Sequence, residues 1–220
     1  RLQSKLILVS TAGLLLLSFL FFQCYEFRLP QWAELSGWER LNAAAFQAVT
    51  PRTAGFNSVD LTLLSEPGKL VTILLMLVGG SPGSTAGGFK VTTLAVLLLS
   101  ARAVFFRRGS PSCFGRRFQD EALRSASAIF LMYLVFFLLG GTLICCIDGV
   151  PLLDALFESA SAIGTVGLSI CGTPGLSLPS HLILTFLMYV GRVGGLTMIY
   201  AVTSGSPVSS QYPQERVTVG

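Results

Sequence analysis

Long apolar runs alternate with short ones along this chain. Residues 6–27 and 125–147 are apolar over roughly 20 positions each, which at about 1.5 Å per residue is enough for a helix to cross a hydrocarbon core of about 30 Å. Residues 41–49 and 152–163 are also apolar but much shorter, as is typical of a helix that enters a membrane without crossing it. The pattern predicts an all-α polytopic membrane protein with helices of two lengths.

Two further apolar segments are interrupted by glycine. Residues 70–78 lead into a stretch of glycine, serine and proline at 79–88, and the apolar run resumes at 89–106. Glycine and proline are unfavourable inside helices, so we expect this span to be broken at 79–88, which we call the glycine-rich loop. The last run, 181–202, also contains glycines and is expected to be a second broken span.

The order of elements occurs twice. Gly55 and Gly167 are 112 positions apart (167 − 55), and Pro67 and Pro179 have the same separation. A fixed separation at independent positions indicates an internal repeat. The predicted boundaries are 1–108 for a first helix–pore-loop–helix repeat, 109–124 for a cytoplasmic basic loop, 125–203 for a second helix–pore-loop–helix repeat and 204–220 for a cytoplasmic C-terminal tail.

Composition and charge set the class and the orientation of the chain. Hydrophobic residues make up 52% of the sequence and charged residues only 12%, whereas soluble domains carry about 25% charged residues. The formal net charge is +4, but the basic residues concentrate at 102–124, where the excess of Lys and Arg in cytoplasmic loops explains them better than a nucleic-acid partner does. Both termini are expected in the cytoplasm. The chain begins with Arg1 rather than Met, and we expect it to be part of a longer protein.

Each short apolar run is followed by a Thr-x-Gly motif. The first pore loop is Thr53, Ala54, Gly55 and Phe56, and the second pore loop is Thr165, Val166, Gly167 and Leu168. Carbonyl groups of such a loop can replace the hydration shell of a potassium ion. Glycine permits the backbone angles that aim successive carbonyls at one axis, and the threonine hydroxyl adds an oxygen. The sequence predicts half of a potassium-channel-like pseudo-fourfold pore, with K+ bound at filter carbonyls. Tight interhelical turns in another kind of transporter are the alternative.

Other candidate chemistry is weak. Gly83 and Gly88 have the glycine spacing of a nucleotide-binding P-loop, but Phe89 stands where that motif needs lysine. The only histidine is His181, and the five cysteines form no C-x-x-C pair, so we expect no metal cluster, no bound cofactor and no enzymatic activity. Glu158, in the second short apolar run, either positions its helix or faces a water-filled vestibule.

One charge is expected inside the membrane. Arg192 lies near the middle of the last run, where a charge costs between about 2.5 and 17 kcal/mol, so it should face the pore or a partner; snorkelling to the interface is the alternative. We expect its guanidinium to donate hydrogen bonds to carbonyls of the glycine-rich loop and to repel cations until the loop moves. The predicted gate consists of Arg192 and the whole loop, which is Gly79, Gly80, Ser81, Pro82, Gly83, Ser84, Thr85, Ala86, Gly87 and Gly88.

These residues resemble the Trk/Ktr/HKT superfamily of potassium transporters, most closely the Ktr-type membrane subunits of bacteria. The motifs that carry the resemblance lie at 50–57 (Thr-Pro-Arg-Thr-Ala-Gly-Phe-Asn), 79–90, 157–168, 191–192 (Gly-Arg) and 212–216 (Tyr-Pro-Gln-Glu-Arg). The resemblance implies a protein of four repeats around one pore, of which this chain supplies the third and fourth. It also implies that Gly55 and Gly167 are filter glycines and that the glycine-rich loop is a gate beneath them.

The resemblance further implies a location and a set of partners. The protein would lie in the plasma (inner) membrane, in contact with lipid. Its partners would be the remaining N-terminal half of the same protein, a second copy in a homodimer, and a cytoplasmic ring of nucleotide-binding regulatory subunits. Potassium would be the substrate, with sodium as a candidate activating ion. The function expected is potassium uptake, and the alternative is a non-conducting membrane scaffold or regulatory subunit.

Overall fold

The computed structural model describes residues 2–107, 112–118, 120–195 and 197. Apart from one short hairpin, the regular structure of this described part is helical. Its α-helices and strands are α1 (Leu2–Cys24), α2 (Gly37–Val49), α3 (Glu66–Leu77), α4 (Val91–Phe105), β1 (Ser112–Cys113), β2 (Arg116–Arg117), α5 (Asp120–Asp148), α6 (Leu152–Ile163) and α7 (Leu178–Val193). The tail predicted at 204–220, the motif at 212–216 and the end of the last run lie outside the described residues.

Two of the helical segments are long and apolar enough to cross a membrane. They are Leu2–Arg28 and Glu121–Asp148. The helices α4 and α7 are apolar but shorter. α3 ends at Leu77, and the chain becomes helical again only at Val91, so the break predicted at the glycine-rich loop is present. The prediction of a mostly helical fold is confirmed.

The α-helices that follow the two pore loops begin in the same way. Ser65 and Ser177 are the N-cap residues of α3 and α7, and a proline follows in the first turn of each helix. Glu26 Oε1 accepts a hydrogen bond from the Ser65 amide at 2.9 Å, and Asp148 Oδ1 accepts one from the Ser177 amide at 3.1 Å. A carboxylate at a helix N-terminus is favourable because it meets unpaired N–H groups and the positive end of the helix dipole. Glu26 therefore fixes the start of α3, and Asp148 fixes the start of α7 in the same way.

The start of α5 corrects the predicted basic loop. The loop was expected to extend over 109–124 and the next helix to begin at 125, but α5 begins at Asp120. Glu121 puts negative charge in the first turn, where the helix dipole favours it. The remainder of that loop contains the β1–β2 hairpin, in which Cys113 pairs with Arg116.

Other helix ends also differ from the predicted ones. α2 begins at Gly37 because Ser36 and Glu39 form a capping box, in which each side chain binds the other residue's amide. α7 ends at Val193, where Gly194 adopts a φ of 85°, so the break in the last run falls at this glycine. By contrast, α6 has the bounds Leu152–Ile163 that the apolar pattern indicated.

The two halves pack on each other through α3 and α6. Met76 of α3 and both Phe157 and Ile163 of α6 are fully buried. Lys69 Nζ and Asp154 Oδ1 form an ion pair of 2.6 Å between the same two helices, and their side chains are only 13% and 18% exposed. This interface fixes α6, and with it the second pore loop, against the first half of the chain.

Candidate functional site

The two pore loops share an unusual backbone conformation. Thr53 and Gly55 have φ angles of 70° and 74°, and Thr165 and Gly167 have φ angles of 51° and 96°. Threonine rarely adopts positive φ because its Cβ crowds the backbone, yet both equivalent threonines do. Left-handed residues at alternate positions turn successive carbonyl groups toward one side of the strand. Backbone strain of this kind is concentrated at functional sites, and the use of these carbonyl groups as cation ligands stays a prediction.

The backbones of the two pore loops touch each other. A Cβ built on Gly55 would lie 2.0 Å from the carbonyl oxygen of Val166, so only glycine fits at this contact. A Cβ built on Gly167 would have no described atom within 4 Å. The first loop therefore abuts the second through Gly55, while Gly167 faces open space.

The first pore loop is held by Thr50, the C-cap of α2. Thr50 Oγ1 donates a hydrogen bond to the Phe56 carbonyl at 2.6 Å and accepts one from the Phe56 amide at 3.1 Å. The Thr50 carbonyl accepts hydrogen bonds from the amides of Ala54 and Gly55 at 3.1 and 3.2 Å. One residue thus binds the last three residues of the loop.

The second pore loop is held in part by Ser161 of α6. The Ser161 carbonyl accepts a hydrogen bond from the Val166 amide at 2.9 Å, and its Oγ accepts one from the Gly167 amide at 3.2 Å. The Thr165 amide donates to the Ala162 carbonyl at 3.0 Å. The entry to the loop is therefore fixed directly on the end of its short helix.

Glu158 does not face a vestibule, so that alternative from the sequence is wrong. Its side chain is 3% exposed, and Oε1 accepts hydrogen bonds from Ser169 Oγ at 2.7 Å and from the amides of Ile170 and Cys171 at 2.9 and 3.1 Å. These three residues directly follow the second pore loop.

The thiol of Cys171 is neutral near pH 7. Burial, and then the charge of Glu158, raise the pKa of this thiol to about 11.

The glycine-rich loop is closed at its base and rests on the second pore loop. The Gly79 amide donates to the Phe89 carbonyl at 2.8 Å, and the Val91 amide donates to the Gly80 carbonyl at 3.2 Å. At the far side, the Gly87 amide donates to Thr165 Oγ1 at 3.0 Å. The Thr165 hydroxyl, which the sequence predicted as an additional oxygen for the ion, therefore also binds the glycine-rich loop that was predicted to be the gate.

Three cationic side chains bind carbonyls of the glycine-rich loop. Arg192 Nη1 donates to the Thr85 carbonyl, which is the kind of contact that the sequence predicted for this residue. Lys90 Nζ donates to the Ala86 carbonyl, and the half-buried Arg52 donates through Nη2 to the Gly79 carbonyl at 3.3 Å. A cavity of about 470 Å³ adjoins the loop, and Lys90 and Arg192 are among its lining residues. The role of this cluster in gating stays a prediction.

Sequence reasoning missed Arg52, Lys90 and the anchoring role of Glu158. All three lie inside the motifs at 50–57, 79–90 and 157–168, so the signal was present, but it did not show where each side chain points. Among the described residues, no group of three or more His, Cys, Asp or Glu side chains could hold a metal ion. That the oxygens of the two pore loops bind a cation stays a prediction.

Comparison with known proteins places this chain in a family. Residues 2–211 match the TrkH family, described as a cation transport protein. The potassium/sodium uptake protein NtpJ of Enterococcus hirae is 35% identical over 226 residues, which cover 100% of this chain and 50% of NtpJ. The Ktr system potassium uptake protein B of Bacillus subtilis is 36% identical, with 83% of this chain and 41% of that protein covered. The protein of the same name from Vibrio alginolyticus is 32% identical, with 100% and 49% covered.

A solved structure shows the same fold. The crystal structure of the potassium transporter TrkH from Vibrio parahaemolyticus superimposes with a TM-score of 0.69 over 92% of this chain and 44% of that one, at 19% sequence identity. The chain spans about half the length of the curated relatives it matches. The family is one of transporters, which confirms that the chain is not an enzyme, and its transport role agrees with the apolar helices that mark a membrane protein. The chain therefore belongs to the TrkH family of cation transport proteins.

Proposed function

We propose that the chain supplies two of the four pore loops of a potassium uptake pathway. The observation that carries this proposal is the matched backbone of Thr53–Gly55 and Thr165–Gly167, in which threonine and glycine are left-handed at equivalent positions. The relatives are named as uptake proteins for potassium or for potassium and sodium, which supports the choice of ion. In this proposal the carbonyl oxygens of both loops replace the water around K+.

The glycine-rich loop and Arg192 form the gate of this pathway. The Gly87 amide of this loop donates a hydrogen bond to Thr165 of the second pore loop. The Thr85 carbonyl of the same loop accepts a hydrogen bond from Arg192. A fixed positive charge beside an ion path raises the energy of a cation there, because like charges repel most strongly where water is scarce. Lys90 adds a second positive charge on the same loop. Opening then requires the loop to move, together with the cations bound to its carbonyls.

The complete protein works as part of a larger assembly. Two pore loops cannot surround an ion, so the N-terminal half of the same protein supplies the other two. The assembly is a homodimer in the plasma membrane, with both termini of this chain in the cytoplasm, and a ring of nucleotide-binding regulatory subunits contacts its cytoplasmic face. Two of the relatives are named as members of a Ktr system, which supports a multi-component transporter. Sodium acts as an activating ion in this proposal.

Rubidium uptake tests the proposed function. The full-length protein is expressed in a host that lacks its own potassium uptake systems, and uptake of Rb+ is followed with and without competing K+ or Na+. We expect saturable uptake that K+ suppresses at lower concentration than Na+. A protein that reaches the membrane in normal amount yet gives no uptake above the empty host would favour a non-conducting scaffold or regulatory subunit.

A further inference from the structure

The outer end of the second pore loop is held by two side chains of α6. Ser161 binds the loop at Val166 and Gly167, and Glu158 binds the segment that leaves it. The other contacts of the loop lie earlier in it, at Thr165 with the glycine-rich loop and at Val166 with Gly55, whereas a Cβ at Gly167 would meet no described atom within 4 Å. The direction of the carbonyl groups at the outer end of this loop therefore depends on its two anchors.

The anchor at Glu158 is strong and shielded from water. A carboxylate that accepts hydrogen bonds from neutral donors forms bonds roughly twice as strong as neutral pairs do. Oε1 accepts three such bonds, from Ser169 Oγ and the amides of Ile170 and Cys171, and the 3% exposure of the residue leaves little room for competing water. Ser169 Oγ also accepts a hydrogen bond from the Thr173 amide at 3.3 Å. The whole exit segment is thus wrapped around one carboxylate.

The first pore loop has a different anchor. The 112-residue register pairs Gln47 with Ser159 (47 + 112), but Gln47 and Glu158 are alike in that each directly follows a phenylalanine in the short helix before a pore loop. Gln47 is fully buried, but neither of its side-chain polar atoms has a hydrogen-bond partner within the described part of the chain. Thr50 holds the first loop instead, through Phe56. The two loops are therefore equivalent in backbone but not in support.

We propose that Glu158 is a positioning residue for ion selectivity, which acts by fixing the exit of the second pore loop. This inference rests on the proposed potassium pathway. A loop held rigidly keeps its carbonyl oxygens at the separation that suits the larger K+ ion, whereas a loosened loop can close around Na+ as well. Glu158 does not touch the ion in this proposal; its effect passes through Ser169, Ile170 and Cys171 to the Leu168 and Gly167 carbonyls.

The test compares substitutions of Glu158 in the full-length protein. Rb+ uptake is measured with increasing K+ or Na+ as competitor, which gives a half-inhibition ratio for the two ions and, separately, a maximal rate. Glu158→Ala should change the ratio toward Na+ by about tenfold or more, which corresponds to about 1.4 kcal/mol. Glu158→Gln keeps a carbonyl oxygen as acceptor and should restore most of the selectivity. A purely structural residue would change the maximal rate and the protein amount but leave the ratio intact.

A matched control and a second variant complete the test. Asp148→Asn changes a carboxylate that also accepts a backbone amide hydrogen bond, from Ser177, but away from the pore loops; its ion ratio should equal that of the wild type. If Glu158→Ala does not accumulate in the membrane, Ser169→Ala tests the proposal instead, because it removes one of the three hydrogen-bond donors to Glu158. A smaller shift of the half-inhibition ratio toward Na+ in this variant would support the proposal. An unchanged ratio in well-expressed Glu158→Ala overturns it, and so does an unchanged ratio in Ser169→Ala where Glu158→Ala does not accumulate. Absence of any uptake by the wild type would instead overturn the proposed function.

Discussion

Serine at Gly55 and serine at Gly167 should have unequal effects, although the two glycines are equivalent in the repeat. Both positions have positive φ, 74° and 96°, so any side chain adds a conformational cost of about 1–2 kcal/mol. The difference lies in what the new Cβ meets. At Gly167 it meets nothing within 4 Å, whereas at Gly55 it lies 2.0 Å from the Val166 carbonyl oxygen.

The clash at Gly55 must move one pore loop away from the other. Ordinary contact with a Cβ begins at 3.4 Å, so the gap of 2.0 Å has to widen by about 1.4 Å (3.4 − 2.0). Val166 cannot yield easily, because its amide is bound to the Ser161 carbonyl at 2.9 Å. After such a displacement, the carbonyl oxygens of the two loops no longer point at the same ion position. Gly55→Ser should therefore abolish selective uptake, while Gly167→Ser should keep uptake and relax its preference for K+ over Na+.

The assay is Rb+ uptake with K+ and Na+ as competitors, at matched amounts of membrane protein. We expect a residual K+ preference in Gly167→Ser and loss of saturable uptake in Gly55→Ser. Gly13→Ser in α1 is a suitable control, since a Cβ there meets no atom within 4 Å and φ is not positive. Equal effects of Gly55→Ser and Gly167→Ser would refute the claim that the loops touch through Gly55, and unchanged selectivity in both would make these glycines ordinary turn residues.

Three further predictions concern the gate and the contact between the two halves. Shortening the chain within 80–88 should raise the maximal rate of Rb+ uptake because it removes the obstruction; lower uptake at equal expression would indicate a structural kink only. Arg192→Ala should also raise the maximal rate and leave the apparent K+ affinity nearly unchanged, since it frees the Thr85 carbonyl and removes a positive charge without touching the pore loops; background uptake by a well-expressed dimer would contradict this. Lys69→Met leaves Asp154 without its ion-pair partner and should destabilise the protein by about 3 kcal/mol, seen as a lower thermal midpoint in detergent, whereas a midpoint equal to that of the wild type would contradict the burial of the pair.

The short helices and the loops after them could be predicted because local patterns define them. The apolar run at Leu152–Ile163 and the Thr-x-Gly motif after it need only sequence spacing to be found, and the helix has those bounds. The start of α3 could be anticipated for the same reason, since Pro67 suits a first helical turn and occupies it here. These features depend on residues close together in the chain.

The anchors of the loops could not be predicted because they depend on the direction of single side chains. From the sequence, Glu158 could either position its helix or face a water-filled vestibule. The packing of α6 in the protein interior, which excludes water from this side chain, decides between the two. Arg52 and Gly79 are distant in sequence, and so are Arg192 and Thr85. The second of these contacts was anticipated because a charge in a membrane span must find a polar partner. Arg52 follows the end of its short helix, where solvent is an equally good partner, so nothing in the sequence required this side chain to bind a carbonyl group of the protein.

Anomalous diffraction from crystals of the full-length protein grown in Rb+ would test the central claim most directly. If the pore loops form a cation filter, an anomalous peak should lie on an axis faced by the carbonyl groups of both loops, including those of Ala54 and Val166, and it should weaken when K+ replaces Rb+ in the crystal. Rb+ bound only elsewhere, with the Ala54 and Val166 carbonyls directed away from any ion, would contradict the account.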